Sequence, residues 1–570
     1  MPRVYPRITA AVVMLLVLLP LLFIAPSLVN GQRGSLDTYA ITNARIVTVS
    51  GAPIERGTVV IRDGLIAAVG ANVTVPADAR IIDGTGLTVY PGLIDSSTSL
   101  GIPLPSPAPA ASPGQGGGGF AQLLRAQTSS TVALNSTQPA GLQPEVLVED
   151  FLRPGGAQIE AARAAGITTV LTAPRQGIWM GQSALINLSG DTAQQMIVRS
   201  PVALHVGFTP LRTGGYPTSL MGVFAVLRQM LLDAGRYREA QLAYERSPRG
   251  TRRPDHDRSL AALLPVLDGA MPVVMYADRE REIARALDLA DEFKLKAIIA
   301  GGLESAKVAD RLRESKVPVL LSLNFPRRTT AALPEADPEP LRVLRERVEA
   351  PKAAARLVNS RAKFAFQSGA LTNMADFQAN LLRAIDGGLG REDALRAVTI
   401  WPAEIFAVSD RLGSIETGKI ANLLVTRGDL FDRNRTVAHV FIDGRPVDLA
   451  RTTPAPAAGG GGAAMFTGTW TLNINLGSGD LVATLTLRQE GERLSGSIQG
   501  ALGTGEIANA SASANGEIRF TVPVTLEGRA AEATFAGRLA GSGMQGDVTV
   551  VGRAPGSFTG TRTAAPPSMR

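Results

Sequence analysis

Side chains that commonly carry chemistry are scarce in this chain of 570 residues, which has three histidines and no cysteine. Thiolate nucleophiles, disulfides and cysteine-bound metals are therefore out of reach. His205 lies in the apolar run ALHVGF, a strand pattern, where it either packs in a core or faces a site. His256 stands in Asp255-His256-Asp257, which has the look of a ligand cluster. Asp257 is also a good N-cap for a following helix, so a solvated loop is the plainer reading. His439 falls in a β pattern and reads as structural. Asp95, Asp278 and Glu304 stand at the ends of apolar runs or open the loops after them. Three such carboxylates could hold a divalent ion through oxygen. They could equally cap helices or pair with Arg279 and Lys307. Serines are plentiful, but no strand–Gly-x-Ser-x-Gly–helix elbow is present to make one a nucleophile.

These residues need elements to position them. Residues 41–95 are rich in short alternating runs such as ARIVTV and GTVVIRDGLIAAVG, with a hairpin signal at Asp63-Gly64. Residues 91–408 change character. Apolar runs (GITTVLTA, MPVVMYA, LKAIIAGG, VPVLLSL) alternate with helical stretches, for instance 278–293 and 304–315. That alternation predicts parallel strands, and at this length a (β/α)8 TIM-type barrel. An open doubly wound sheet is the alternative, weakened by the lack of a Gly-rich nucleotide fingerprint. The charged stretch 334–361 predicts a solvated helix. Residues 409–450 return to β character, with a second hairpin signal at Asp443-Gly444, and are expected to complete a bipartite β-sandwich with residues 38–90.

The remaining segments are set by composition. Arg3 and Arg7 precede an almost wholly apolar run from 8 to 24, which reads as an export signal ending near residue 31. An uncleaved anchor is the competing reading, opposed by Pro20, Pro26 and Asn30. The protein is thus expected to be secreted or periplasmic, with no stable membrane span after signal removal. Residues 103–119 (PLPSPAPAASPGQGGGG) read as a disordered insertion and 451–464 as a linker. Residues 465–570 contain sequential β runs with Gly-rich turns and no helical pattern, predicting an all-β meander closed as a barrel or folded as a sandwich. There Trp470 is either a recognition aromatic or, more ordinarily, a core filler. Net charge is +7 and aromatic residues make up 5% of the chain, with no basic stripe, so no nucleic-acid partner is expected. A small-molecule ligand and a homo-oligomer are both compatible with the sequence.

Three stretches together resemble the amidohydrolase superfamily, especially its imidazolonepropionase-like branch. They are ITNARIVTV…GLIAAVG…IIDGTGLTVYPGLID, then ALRAVTIWPAEIFAV, then RLGSIETGKIANLLVTRGDLF with VFIDGRPV. The resemblance spans residues 41–449. It implies a barrel hydrolase of non-peptide C–N bonds that uses a divalent metal (Zn, Mn or Mg) to activate water. The family pattern Pro-Gly-Leu-Ile-Asp-x-His-x-His reads PGLIDSSTS here, placing Ser97 and Ser99 at the two histidine positions. On a strand the i, i+2 spacing puts both on one face, where a hydroxyl is a poor substitute for imidazole. The later ligand positions fall approximately on Tyr276 and Asp278, on Gly301, and on Ser368-Gly369, while the β-domain Ala-Asp-Leu reads Ala421-Asn422-Leu423.

The expectation is therefore a pseudoenzyme with no metal, its pocket lined by Ser97, Ser99, His205, Tyr276, Asp278 and Glu304. The alternative is an active hydrolase of cyclic amides or small peptides. It would have a carboxylate metal site at Asp95, Asp278 and Glu304, with Asp278 and Glu304 as catalytic candidates.

Overall fold

The computed structural model describes residues 37–103, 136–211, 216–326, 340–369, 371 and 374–449. It also describes residues 466–564 apart from short stretches at 476–479, 491–492, 501–502, 513–516, 527–528, 541–542 and 551–555. The expected export signal, nearly all of the 103–119 insertion and the linker lie outside the described residues. The chain divides into two compact units, Met1–Leu449 and Ala450–Arg570. Among the described residues no helix is long and apolar enough to cross a membrane.

The first unit begins with β1 (Tyr39–Ile46), β2 (Ile54–Arg62), β3 (Leu65–Gly70), β4 (Arg80–Asp83) and β5 (Leu87–Pro91). After the barrel come β16 (Leu423–Arg427), β17 (Thr436–Ile442) and β18 (Arg445–Pro446). Residues distant in sequence thus share one sheet, ordered β18-β17-β16-β5-β1-β2-β3 with β4 on β1. The expected sandwich is a single sheet that forks at β1, whose first half pairs with β4 and whose end pairs with β5. Both predicted hairpins form. Asp63 and Gly64, and likewise Asp443 and Gly444, take positive φ, as a two-residue turn matched to strand twist requires.

The barrel strands are β6 (Leu93–Thr98), β7 (Ile167–Thr172), β8 (Trp179–Gln182), β9 (Ala184–Asn187) and β10 (Ile197–Arg199). They continue with β11 (Leu204–Gly207), β12 (Val273–Ala277), β13 (Ala297–Gly301), β14 (Val319–Ser322) and β15 (Phe364–Gln367). β6 and β7 are parallel, as are β11 to β15 in sequence. The regular eight-fold repeat fails at one place. Between β7 and β11 stands the β8–β9 run, antiparallel to both neighbours. The connection 173–178 is too short for a crossover helix, which needs a dozen or more residues, so the chain returns antiparallel. Strands with both faces covered read as continuous apolar runs, and apart from the half-buried β10 these are buried along most of their length. The barrel's lower interior is apolar, with Ile94, Leu171, Leu185, Val274, Ile298, Leu320 and Ala365 in one cluster.

The expected helices form at Glu280–Phe293 and Ala309–Glu314, the latter entered through a 3-10 turn, Ser305–Val308. The charged stretch gives two helices. Leu341–Glu349 buries no residue, whereas Ala353–Asn359 buries Ala353, Ala354 and Leu357 and is not a solvated face.

A buried polar junction fastens the sheet to the barrel. Asn422 Nδ2 donates to Thr169 Oγ1 (3.0 Å) and Asn187 Oδ1 (2.8 Å), and its Oδ1 accepts from the Asp443 amide (2.8 Å). Asn187 Nδ2 in turn donates to Asp443 Oδ1 at 2.6 Å. Every member is paired, so the network fixes one docking geometry.

The second unit is an antiparallel meander in strands β19 (Gly468–Asn475), β20 (Asp480–Glu490), β21 (Arg493–Gly500), β22 (Gly503–Glu506) and β23 (Ala508–Ala512). It ends with β24 (Glu517–Leu526), β25 (Arg529–Ala540), β26 (Gly543–Val550) and β27 (Gly556–Ala564). Pairing of β20 with β21 brings the ends of the sheet together into a nearly closed barrel, removing exposed edges. Its interior holds Trp470, Leu472, Phe520, Phe535 and Phe558. Trp470 is 1% exposed and donates from Nε1 to the Phe466 carbonyl, so it fills the core rather than offering a recognition surface.

Asn422→Ala leaves Thr169, Asn187 and the Asp443 amide with lost partners in a buried site. It should lower unfolding free energy by about 2–4 kcal/mol in urea titrations of the full chain. An unchanged midpoint would show that the junction does not hold the sheet to the barrel.

Candidate functional site

The sequence candidates separate into two groups. Asp95, Ser97, His205 and Tyr276 meet at the mouth of the barrel; Asp278 and Glu304 lie in loops beyond β12 and β13.

At the mouth, Ser97 Oγ and the Tyr276 hydroxyl are 3.3 Å apart, and the same hydroxyl is 3.1 Å from His205 Nδ1. His205 is fully buried, and its Nε2 has no protein partner. Burial, then the charge of Arg175, pushes its pKa down to about 3. The imidazole is therefore neutral, and Nδ1 can accept the tyrosine proton while Ser97 donates to the tyrosine oxygen. This chain cannot activate Ser97, because a general base works best with a pKa near the ambient pH. Ser99 lies just past the end of β6 and is half-buried.

Asp95 is also fully buried. Its Oδ1 accepts from the amides of Ser368 (2.9 Å) and Ser97 (3.3 Å), while Oδ2 has no protein partner. Burial raises its pKa to about 6 against the pull of these donors and Arg175.

Arg175, just beyond β7, is the member that sequence reasoning missed. Its Nη2 donates to the carbonyls of Ser97 (3.3 Å) and Gly369 (3.0 Å), and its guanidinium lies 5.8 Å from the Tyr276 ring centroid. The local signal, an Arg after TAP at the end of an apolar run, resembles any loop arginine. β6 and β15 share no strand ladder. Instead Ser96 Oγ donates to the Phe366 carbonyl (2.5 Å) and the Gly369 amide to the Ser97 carbonyl (3.2 Å). Together with Arg175 and Asp95 these contacts close the barrel seam.

The carboxylate candidates are engaged elsewhere. Glu304 accepts from Lys307 Nζ (2.6 Å) and the Glu280 amide (2.9 Å), the latter at the start of the preceding helix, Glu280–Phe293. Asp278 is at the surface, its carboxylate over Gly301 and hydrogen-bonded to the Leu303 amide. Among the described residues no three His, Asp or Glu side chains form a group able to hold a metal. Asp95, Asp278 and Glu304 are thus not gathered, because Glu304 is committed to a helix start and Asp95 to the seam. A divalent ion does not fit the mouth: Ser97 Oγ is in contact with Tyr276 Oη, and a fixed guanidinium stands beside it. Two unit charges 4 Å apart repel by roughly 4 kcal/mol at an effective dielectric of 20, and a divalent ion doubles this.

The other histidines behave as structure. His256 is exposed, beside the Arg252–Asp255 pair, and Asp257 caps the helix Arg258–Leu267 through the Leu260 amide (2.9 Å). His439 lies half-buried in β17, opposite Val425.

Against known proteins, the model of the amidohydrolase family matches residues 345–447. The fold is similar to that of an amidohydrolase from Thermotoga maritima MSB8, with 26% identity and a TM-score of 0.58 over 72% of this chain and 99% of that one. A prolidase solved with N-methylphosphonate-L-proline is 18% identical over 72% of this chain and 99% of its own, with a TM-score of 0.42. A zinc-bound adenosine deaminase from Xanthomonas campestris is 16% identical over 72% and 92%, with a TM-score of 0.39. No curated protein matches the chain. This chain thus carries a TIM-type barrel with an added β domain, in the arrangement of a solved amidohydrolase.

The Asp95 carboxyl holds its proton more tightly when folded (about 6) than at its ordinary value of 3.8. Its contribution to stability is therefore full below about pH 4 and is lost as pH rises through 6. His205, shifted downward, acts in the opposite sense and loses stability as pH falls from 6.5 toward 3. Between pH 4 and 7, Asp95→Asn should gain on the wild type by an amount on the order of 3 kcal/mol. Urea midpoints of both proteins across that range measure it, and parallel curves would refute it.

Proposed function

We propose that this is an exported protein of the amidohydrolase superfamily, on its imidazolonepropionase-like branch. In it the barrel persists as a binding scaffold and metal-dependent hydrolysis of C–N bonds has been lost. The observation that carries this reading is Arg175, a fixed cation bonded to the Ser97 carbonyl on the strand where the resemblance would place two histidine ligands. The hydroxyl at Ser97, a poor substitute for imidazole as a ligand, further supports it, and His205 with its lowered pKa is no base to activate a serine. Export rests on the apolar run following Arg3 and Arg7.

The active-hydrolase alternative needs Asp95, Asp278 and Glu304 on one ion. Glu304 is held by Lys307, and Asp95 by two amides, which speaks against it. Elemental analysis of the purified, dialysed chain should find Zn, Mn and Mg well below one equivalent. Added metal should bring no turnover of hydantoins, other cyclic amides or dipeptides. Near-stoichiometric metal that disappears in Asp278→Ala or Asp95→Asn would restore the hydrolase reading.

A further inference from the structure

We propose that a cleft at the rim of the barrel, separate from the residues of the mouth, binds a small molecule with an apolar body and one carboxylate or similar oxyanion. The cleft has a volume of about 500 Å3 and is bounded by the residues that follow β12 and β13, by Pro326 and by the helical stretch 341–356. That volume lies within the usual range for small-ligand sites, roughly 300–1,000 Å3. Its position is the strand-end face of the barrel, where this architecture builds its sites from loops.

The charge pattern of the wall specifies the ligand. Most of its ions are already matched: Glu304 with Lys307 (2.6 Å), Glu346 with Arg342 (3.8 Å), and Glu349 with Arg356. Two guanidiniums remain, Arg279 and Arg345, that make no ion pair within 4 Å among the described residues, and both line the cleft, with Arg279 also in the field of Asp278 and Glu304. The remaining acid, Asp278, is bonded to the Leu303 amide, and partial burial raises its pKa. Leu303, Pro326 and Leu341 supply apolar wall between the charges. A guanidinium holds an oxyanion through two parallel N–H bonds, while the apolar wall takes the rest of the molecule. This inference stands whether or not the barrel hydrolyses anything.

The test is calorimetric titration of the full chain with benzoate and phenyl phosphate, and with neutral benzamide as control. Saturable binding of the anions is expected, weakening with added salt, with benzamide binding at least roughly tenfold more weakly. Arg279→Ala and Arg345→Ala, both exposed and so compatible with folding, should each weaken binding about tenfold. Ser97→Ala should leave it unchanged. The proposal is overturned by absence of saturable binding at millimolar probe, by equal affinity for benzamide, or by anion binding that survives both arginine variants. Anion binding lost in Ser97→Ala would assign the ligand to the mouth and also overturn it.

Discussion

The barrel closes mainly through side chains, with a single backbone bond among the described residues, from the Gly369 amide to the Ser97 carbonyl, where other strand pairs close through a ladder. Between β6 and β15 the bonds come from Ser96, the Ser368 and Gly369 amides, Asp95 and Arg175. Backbone groups buried at the last strand pair must find partners. Here they find a carboxylate and a guanidinium, both located where a barrel of this kind would hold its reactive groups. The mouth is therefore part of the scaffold's own closure, and its polar groups are constrained by the fold before any ligand is considered.

That constraint sets the electrostatics. The cation of Arg175 sits near two buried titratable groups and acts on each in the direction its charge dictates. It favours the ionised form of Asp95 against burial and disfavours the protonated form of His205 together with burial. A neutral histidine, a tyrosine and a serine in line form a hydrogen-bonded chain that orients the ring without supplying a base. The loops beyond the mouth follow another logic: Glu304 caps a helix, Asp278 rides over Gly301, and the adjoining wall is rich in guanidinium groups.

A second buried network, centred on Asn422, holds the β sheet against the barrel with every partner matched. The aspartate expected there from the resemblance is an asparagine, which can donate as well as accept. Both abilities are used, since its amide nitrogen serves Thr169 and Asn187 and its oxygen serves the Asp443 amide. The C-terminal unit rests on different physics. Its antiparallel ring encloses aromatic side chains, and its one buried tryptophan ties its ring nitrogen to a carbonyl.

Much of the fold was legible in sequence because it is written in local periodicity. The Asp-Gly hairpins, the apolar strand runs, the helix 280–293 and the terminal meander each follow from spacing and turn chemistry within a few residues. That Ser97 faces the mouth was legible as well, because a strand's two-residue period decides which side chains share a face. The antiparallel β8–β9 run was not, since its apolar residues look the same in either direction and only the short connection betrays it. Nor was the split of Asp278 and Glu304 from Asp95, because a carboxylate at a strand end reads alike whether it meets an ion, an amide or a lysine. Arg175 shows the limit most plainly. Its partners, Ser97 and Gly369, lie 78 and 194 residues away along the chain. Only closure of the barrel brings those carbonyls to one guanidinium, and no local pattern records a contact that depends on the whole ring.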